Sequence, residues 1–193
     1  MARKQKKERR KEALAAAKRL LSREGMQAAS VRRVAEEAEM SAGSLRHIFP
    51  SHDELFIALF EDGRKRSATR LKQLQATPAG SELCLAAAVD TLLALLPLSP
   101  GTRVDLLVQL AVQTDHPNNP VLVESYRETC EQLDELCRAI VATTVAPHEV
   151  AEAALELRLV LDGVTMRVLS KADFGEAEAR AALNKTLRRL RFL

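Results

Sequence analysis

An all-α fold of about nine helices is predicted by three features of the 193-residue sequence. Apolar side chains recur at intervals of three and four residues along most of the chain, which is the period of a helix with one buried face. No segment shows the sustained two-residue alternation of a half-buried strand. The seven prolines fall between the periodic segments, where we expect connections, because proline disrupts the interior of a helix.

The predicted helices follow from their end signals and their periodicity. The first is expected to end at Gly25, and Ser30 can cap the second by accepting a hydrogen bond from a free backbone N–H. Residues 104–112 are apolar on nearly all sides and could form a buried strand, but no second strand candidate can pair with them, which favours a helix. The predicted spans are 6–24, 31–38, 42–48, 52–76, 81–96, 102–115, 119–144, 148–170 and 176–191.

Composition excludes several classes of protein. Hydrophobic residues make up 47% of the sequence and charged residues 28%, which is too apolar for a disordered chain. The most apolar stretch, 83–98, is shorter than the roughly 18 residues of a membrane span and is interrupted by Asp90 and Pro97. The N-terminus lacks the apolar run of a signal peptide, so we expect a cytoplasmic protein with no membrane partner.

Basic side chains are concentrated at the N-terminus. Residues 1–50 carry 13 basic and 6 acidic side chains, a net charge of +7, whereas residues 51–193 carry a net charge of −4. Seven of the first eleven residues are Lys or Arg. This asymmetry suggests that a polyanion contacts that end of the chain, although the basic run alone is equally well interpreted as a solvated tail.

Two short predicted helices, 31–38 and 42–48, are joined by only three residues, 39–41. Such a pair forms a helix-turn-helix, in which the second helix can lie in the major groove of DNA. Around it, four sequence elements occur in order: SVRRVAEEA at 30–38, SAGSL at 41–45, FPS at 49–51 and EL at 54–55. With these elements, the stretch from Ala13 to Phe60 resembles the DNA-binding domain of TetR-family transcriptional regulators.

The sequence departs from the usual pattern of that family at three places. Glu39 stands where the family has a turn glycine, Arg46-His47-Ile48 replaces a Tyr-Tyr-His run, and His52 replaces a lysine that contacts phosphate. A side chain in a turn that needs positive φ costs about 1 kcal/mol, which a domain core can absorb. We expect the departures to change which DNA sequence is bound rather than whether DNA is bound.

The N-terminus of the second short helix is predicted to meet DNA, because free N–H groups and small side chains there permit a phosphate to approach closely. These residues are Ser41, Ala42, Gly43 and Ser44. Arg46 and His47 are candidates for reading base edges, since an arginine can bond guanine in a bidentate manner. The residues expected to contact phosphates are Arg32, Arg33, Ser51 and His52. For Arg46 and His47 the alternative is an ordinary surface side chain, and for His52 it is a helix cap.

The resemblance implies two domains. Residues 1–50 would hold the basic tail and a three-helix DNA-binding domain, and residues 51–193 a helical domain that dimerises and binds an effector, with helix 52–76 as the connector. The last two predicted helices carry aliphatic stripes that can pair across a two-fold axis, although a core helix shows the same stripe. Polar residues that could line a pocket, cap turns or face solvent are Arg103, Gln109, Gln113, Tyr126, Asp162 and Thr165.

The resemblance therefore implies a homodimeric regulator, most simply a repressor, that binds double-stranded DNA at a palindromic operator and responds to an unknown small-molecule effector. An activator or a protein that needs a co-repressor fits equally well. We expect no enzymatic activity, cofactor or metal, since catalytic motifs are missing and the four histidines are widely separated in sequence. The alternative is a helical ligand carrier whose basic tail binds nucleic acid or membrane without sequence preference.

Overall fold

The computed structural model describes residues 2–25, 28, 30–74, 82–114, 116–170 and 173–190, with side chains described throughout these ranges except at 2–4, 67–74 and 82–84. Across the described residues the chain forms nine helices and no strand, which confirms the predicted all-α class. The helices are α1 (Ala2–Glu24), α2 (Val31–Glu37), α3 (Ala42–Ile48), α4 (His52–Leu74), α5 (Glu82–Leu93), α6 (Pro100–Thr114), α7 (Pro120–Val141), α8 (Val150–Ser170) and α9 (Glu176–Leu190).

The helix ends differ from the predicted ones in ways that have local causes. Helix α1 begins at Ala2, four residues before the predicted start at 6, and so includes the whole basic run, because Lys, Arg, Gln and Glu are good helix formers. Pro100 and Pro120 are the first residues of α6 and α7 rather than parts of connections, since a first-turn residue needs no N–H donor. The predicted helix ends at 75–76, 81, 115 and 191 lie outside the described residues.

The chain divides into two compact units. The first comprises Met1–Arg64 and Pro100–Glu124, and the second comprises Lys65–Ser99 and Ser125–Leu193. This division differs from the boundary expected after residue 50, because α6 packs against α1 and the first part of α4 carries buried side chains of the first unit. None of the helices within the described residues is long and apolar enough to span a membrane.

The first unit is built on α1, which packs against α2, α3 and α6. Alanines on its inner face allow these helices to approach closely, and Ala13, Ala16 and Ala17 have no exposed surface. Complete burial of a Leu or Phe side chain stabilises a fold by about 1.5 to 3 kcal/mol. The largest fully buried side chains of this unit are Leu21, Leu45, Phe49, Leu55, Phe56, Leu59 and Leu122.

The second unit has its own core, formed by α5, α7, α8 and α9. Leu157 on α8 and Leu183 on α9 are completely buried at its centre. The Cys137 thiol is also completely buried, and this burial raises its pKa to about 11. Neither Cys137 nor the half-buried Cys130 forms a disulfide, while the side chain of Cys84 lies outside the described residues.

The turn between α2 and α3 contains a residue in the left-handed region. Glu39 has φ of 53° and follows Ala38, the C-cap of α2. Its N–H donates to the carbonyl of Glu36 at 3.1 Å, and the Met40 N–H donates to the carbonyl of Ala35 at 2.8 Å. This pair of hydrogen bonds is a Schellman motif, in which glycine is usual because a Cβ is strained at positive φ. The turn expected from the sequence therefore forms without its glycine.

Glu39→Gly should raise the free energy of unfolding by up to about 1 kcal/mol, because relief of the left-handed strain exceeds the flexibility that glycine adds to the unfolded chain. Gly25→Ala is the matched control, since Gly25 has φ of 80° and an added Cβ would meet no atom within 4 Å. That substitution should lower stability by a similar amount. Urea unfolding measures the stability of both variants. Equal free energies of unfolding for Glu39→Gly and the native chain would show that Glu39 is not strained.

Candidate DNA-binding surface

The second helix of the helix-turn-helix, α3, begins at a defined cap. The Ser41 side chain accepts a hydrogen bond from the Ser44 N–H at 3.1 Å and its hydroxyl donates to the Ser44 hydroxyl at 2.9 Å. One of the free donors at the helix N-terminus is thereby satisfied. The backbone at Ala42 and Gly43 lies beside this cap, and both residues are exposed.

The faces of α3 are sharply divided. Leu45 and Ile48 are buried, and Phe49, its C-cap, has no exposed surface. Arg46 and His47 lie on the opposite face and are exposed. No side chain that the structure describes forms an ion pair or hydrogen bond with either of them. Two long donors are therefore presented to solvent by a short helix that cannot rotate without exposing its core residues.

Basic residues of α1 lie next to this exposed face. Gln5, Lys6 and Arg9 line one side of a groove whose other side is formed by Ser44, His47 and Ile48. The Arg10 guanidinium lies over the Phe49 ring, 4.7 Å from its centroid, an arrangement that favours a cation against an aromatic face. The sequence analysis placed a polyanion at this end of the chain but did not predict this packing, because contacts between α1 and α3 depend on the tertiary fold.

The two arginines at the start of α2 are held in ion pairs. Arg32 contacts Glu36 at 3.0 Å and Arg33 contacts Glu24 at 2.5 Å. The Arg32 side chain is 86% exposed, so its pair is of the weak surface kind that a phosphate can replace. Arg33 is more enclosed. Both residues thus lie at the surface, but neither is free of an internal partner.

The residues that precede and begin α4 are engaged within the protein. The Ser51 side chain accepts a hydrogen bond from the Glu54 N–H at 3.1 Å, so Ser51 caps α4. The His52 ring lies 4.7 Å from the Phe56 ring and 5.7 Å from the His116 ring. The cap that was considered for His52 therefore belongs to Ser51. The four histidines are not all separated in space, since the fold brings His52 and His116 together.

Helix α2 is fixed to α1 by a network of charges. The Glu37 carboxylate accepts hydrogen bonds from Arg19 at 2.8 Å and from Arg23 at 2.9 Å, and these two bonds hold its pKa below the usual 4.5. Hydrogen bonds from Arg33 and then Arg23 likewise lower the pKa of Glu24. The network ties the last residue of α2 to the last turns of α1 and so sets the position from which α3 projects.

The six candidate pocket residues fall in different units. Gln109 is half-buried on α6, while Arg103 and Gln113 on the same helix are exposed. In the second unit, Thr165 donates to the carbonyl of Leu161 at 2.7 Å and is satisfied within α8. Tyr126, Asp162 and Thr165 belong to the second unit, whereas Arg103, Gln109 and Gln113 belong to the first.

The remaining two pocket candidates lie around Arg158, which sequence reasoning missed. Arg158 bonds Asp162 at 3.0 Å and Asp134 at 2.6 Å, and its guanidinium also donates to the carbonyl of Cys130 at 3.1 Å. Tyr126 lies near the same groups, and its pKa is raised first by burial and then by its hydrogen bond with Cys130. No pattern in the sequence singles out Arg158, because two of its three partners, Cys130 and Asp134, lie on α7 rather than on α8.

A capped second helix that exposes two long hydrogen-bond donors beside a basic helix is the arrangement expected of a helix-turn-helix DNA-binding protein. Residues 13–59 match the family model of bacterial regulatory proteins of the tetR family. Residues 85–191, more than half of the chain, match the model of the C-terminal part of BetI-type transcriptional repressors. The chain belongs to the TetR family of transcriptional regulators, which confirms the predicted resemblance.

Solved structures show the same fold over nearly the whole chain. A transcriptional regulator from Rhodococcus sp. Rha1 is 24% identical, with a TM-score of 0.76 over 94% of this chain and 95% of its own. A protein from Saccharomonospora viridis, described as a transcriptional regulator and crystallised with choline, is 22% identical, with a TM-score of 0.79 over 94% and 96%. The multidrug binding protein EbrR, complexed with ethidium, is 26% identical, with a TM-score of 0.64 over 92% and 98%. No curated protein matches the chain.

The α1–α2 charge network should make stability depend on acid. The pKa values of Glu24 and Glu37 are lower in the folded protein than the value of about 4.5 in the unfolded chain. Their contribution to the free energy of unfolding is therefore present above the unfolded pKa and is lost as the pH falls through the folded pKa values. Glu37→Gln should lower stability at neutral pH and reduce its decline in acid. Urea unfolding measured across this range tests the network, and an unchanged acid dependence in the variant would contradict it.

Proposed function

We propose that this protein is a homodimeric transcriptional repressor that binds a palindromic operator through α3 and is released by a small-molecule effector. The observation that carries the proposal is the exposed pair Arg46 and His47, unpartnered among the described side chains, on a helix whose other face is anchored in the core. Membership in the TetR family supports regulation of transcription over the carrier that was the sequence-based alternative.

In this proposal α3 enters the major groove and Arg46 and His47 read base edges. The exposed N-terminus of α3, residues Ser41 to Ser44, faces a phosphate, toward which free N–H groups and the helix dipole are favourable. Lys6 and Arg9 on α1 and Arg32 on α2 contact phosphates and supply affinity without sequence information. Arg33, Ser51 and His52 would contact phosphates only after releasing contacts that they make within the protein.

Dimerisation is supported by α8, which has apolar residues on two faces. Its buried face packs in the core of the second unit, while Leu155, Leu159 and Met166 are 60%, 63% and 48% exposed. These three residues recur at helical spacing on one side of α8. A helix with a second apolar face buries it against another molecule, and a two-fold axis would pair it with the same face of a second copy.

An effector is supported by the ligands that accompany similar structures, choline in the Saccharomonospora protein and ethidium in EbrR. Release from DNA requires only that the effector bind more tightly to dimers whose two α3 helices are wrongly spaced for the operator. Such coupling between two sites is usually worth about 1 to 3 kcal/mol.

DNA reading is tested by selecting binding sites from a randomised duplex library and then titrating the selected site. Arg46→Ala should lose about 1 to 3 kcal/mol of discrimination against a scrambled duplex. Replacing Lys6 and Arg9 with alanine should weaken binding to both duplexes and reduce the salt dependence, because two phosphate contacts are lost. Arg138→Ala on α7, an exposed arginine of the second unit, is the control and should change neither quantity. Salt-sensitive binding that is indifferent to Arg46 would instead support the carrier.

The dimer is tested by placing a charge on the exposed face of α8. Leu159→Arg should shift the protein to a monomer in analytical ultracentrifugation and weaken operator binding, because a buried arginine without a partner opposes association. Val121→Arg at the start of α7, where the native side chain is 53% exposed, is the matched control and should leave the dimer intact. Dissociation by the Val121 variant with no effect of the Leu159 variant would place the interface elsewhere.

A further inference from the structure

Three side chains of the first unit form a cluster outside the DNA-binding surface. His52 and Asp53 are the first two residues of α4, and His116 lies in the connection between α6 and α7. Nδ1 of His116 is 3.2 Å from Oδ1 of Asp53, and the two imidazole rings lie 5.7 Å apart with 26° between their planes. One potential ligand atom from each of the three residues falls within 4.8 Å of the others.

The His116 side chain is only 9% exposed, and its Nε2 is buried without a hydrogen-bond partner in the described structure. Because Nδ1 faces Asp53, it is the ring nitrogen that a metal between the two side chains would contact, and such an ion would not supply a partner to Nε2. The Phe56 ring lies 4.8 Å from the His116 ring and 4.7 Å from the His52 ring, so it supports both imidazoles from one side. The cluster is therefore held in place by an apolar wall while it stays open to solvent at His52 and Asp53.

We propose that His52, Asp53 and His116 bind one divalent transition-metal ion of the zinc type. Two imidazole nitrogens and one carboxylate oxygen suit zinc, cobalt, nickel or copper, whereas magnesium and calcium prefer oxygen ligands alone. Two ligand atoms about 2.0 to 2.2 Å from a tetrahedral ion lie about 3.3 to 3.6 Å apart, slightly farther than the observed 3.2 Å between His116 and Asp53. One ligand atom of His52 already lies within 4.8 Å of the other two, so a small adjustment of this exposed side chain would let it coordinate the same ion, and water would complete the coordination.

The contacts around Asp53 fit this role. Its second carboxylate oxygen, Oδ2, accepts a hydrogen bond from the Asn119 amide at 3.1 Å. An outer hydrogen bond of this kind orients a ligating carboxylate and is typical of protein metal sites. The bound ion would link the first turn of α4 to residues 116–119. His52 would then coordinate the ion and would not be available for the DNA phosphate contact that the sequence suggested. The site is separate from Arg46 and His47, so the metal can bind whether or not the DNA proposal is correct.

Metal binding is tested on the full chain, without an affinity tag and after treatment with a chelator, by calorimetric titration with Zn²⁺ and by absorption spectroscopy with Co²⁺. We expect one ion per chain and a cobalt spectrum without thiolate bands, because no cysteine takes part. His116→Ala and Asp53→Asn should weaken binding at least about tenfold. His148→Ala, an exposed histidine between α7 and α8, is the matched control and should bind as the native chain does.

Replacing the nearly buried His116 can itself destabilise the fold. The exposed His52 therefore provides a second variant, His52→Ala, that should fold normally. Circular dichroism checks that each variant is folded. Zn²⁺ should raise the melting temperature of the native chain and of His148→Ala but not that of His52→Ala. Binding that is unchanged in His52→Ala and His116→Ala overturns the proposal. So does the absence of binding to the native chain, which would leave His116 and Asp53 as a hydrogen-bonded contact.

Discussion

The burial of Leu45 and Ile48 constrains the rest of the candidate DNA-binding surface. These side chains hold one face of a two-turn helix in the core, and the helical period then directs Arg46 and His47 to solvent. A helix this short is not stable by itself, so its orientation depends on packing against α1 and α2. The position of α3 is thus decided by apolar contacts, while its function depends on the residues that those contacts leave exposed.

Helix α1 contributes both to the apolar packing that positions α3 and to the positive charge beside its exposed face. Its inner face is rich in alanine, which allows α2, α3 and α6 to pack closely, and its basic N-terminal turns lie beside the exposed face of α3. The arginines near its C-terminus bind Glu37 and so fix α2. One continuous helix therefore connects the apolar core, the charge network that positions the helix-turn-helix, and the positive charge that would meet phosphates.

The sequence was sufficient for the number and order of the helices, because their signals are local. Apolar periodicity, Ser30 and Ser41 as caps, and Gly25 after α1 act within one turn of the chain. The division of the chain into units could not be read in this way, since α6 joins the first unit through contacts with α1 that are distant in sequence. For the same reason the sequence did not reveal the contact of Arg158 with Asp134 on α7 or the contact of His52 with His116.

The residues predicted to contact DNA also fall into two groups, those whose environment follows from local sequence and those whose environment depends on tertiary contacts. Exposure of Arg46 and His47 follows from helical periodicity and was predictable, whereas the ion pairs of Arg32 and Arg33 depend on where Glu24 and Glu36 come to lie. The most direct measurement of the central claim is the structure of the protein bound to a duplex obtained by selection. The account predicts α3 in the major groove with the Arg46 guanidinium bonded to a base edge. A complex in which α1 contacts phosphates while α3 stays outside the groove would contradict it.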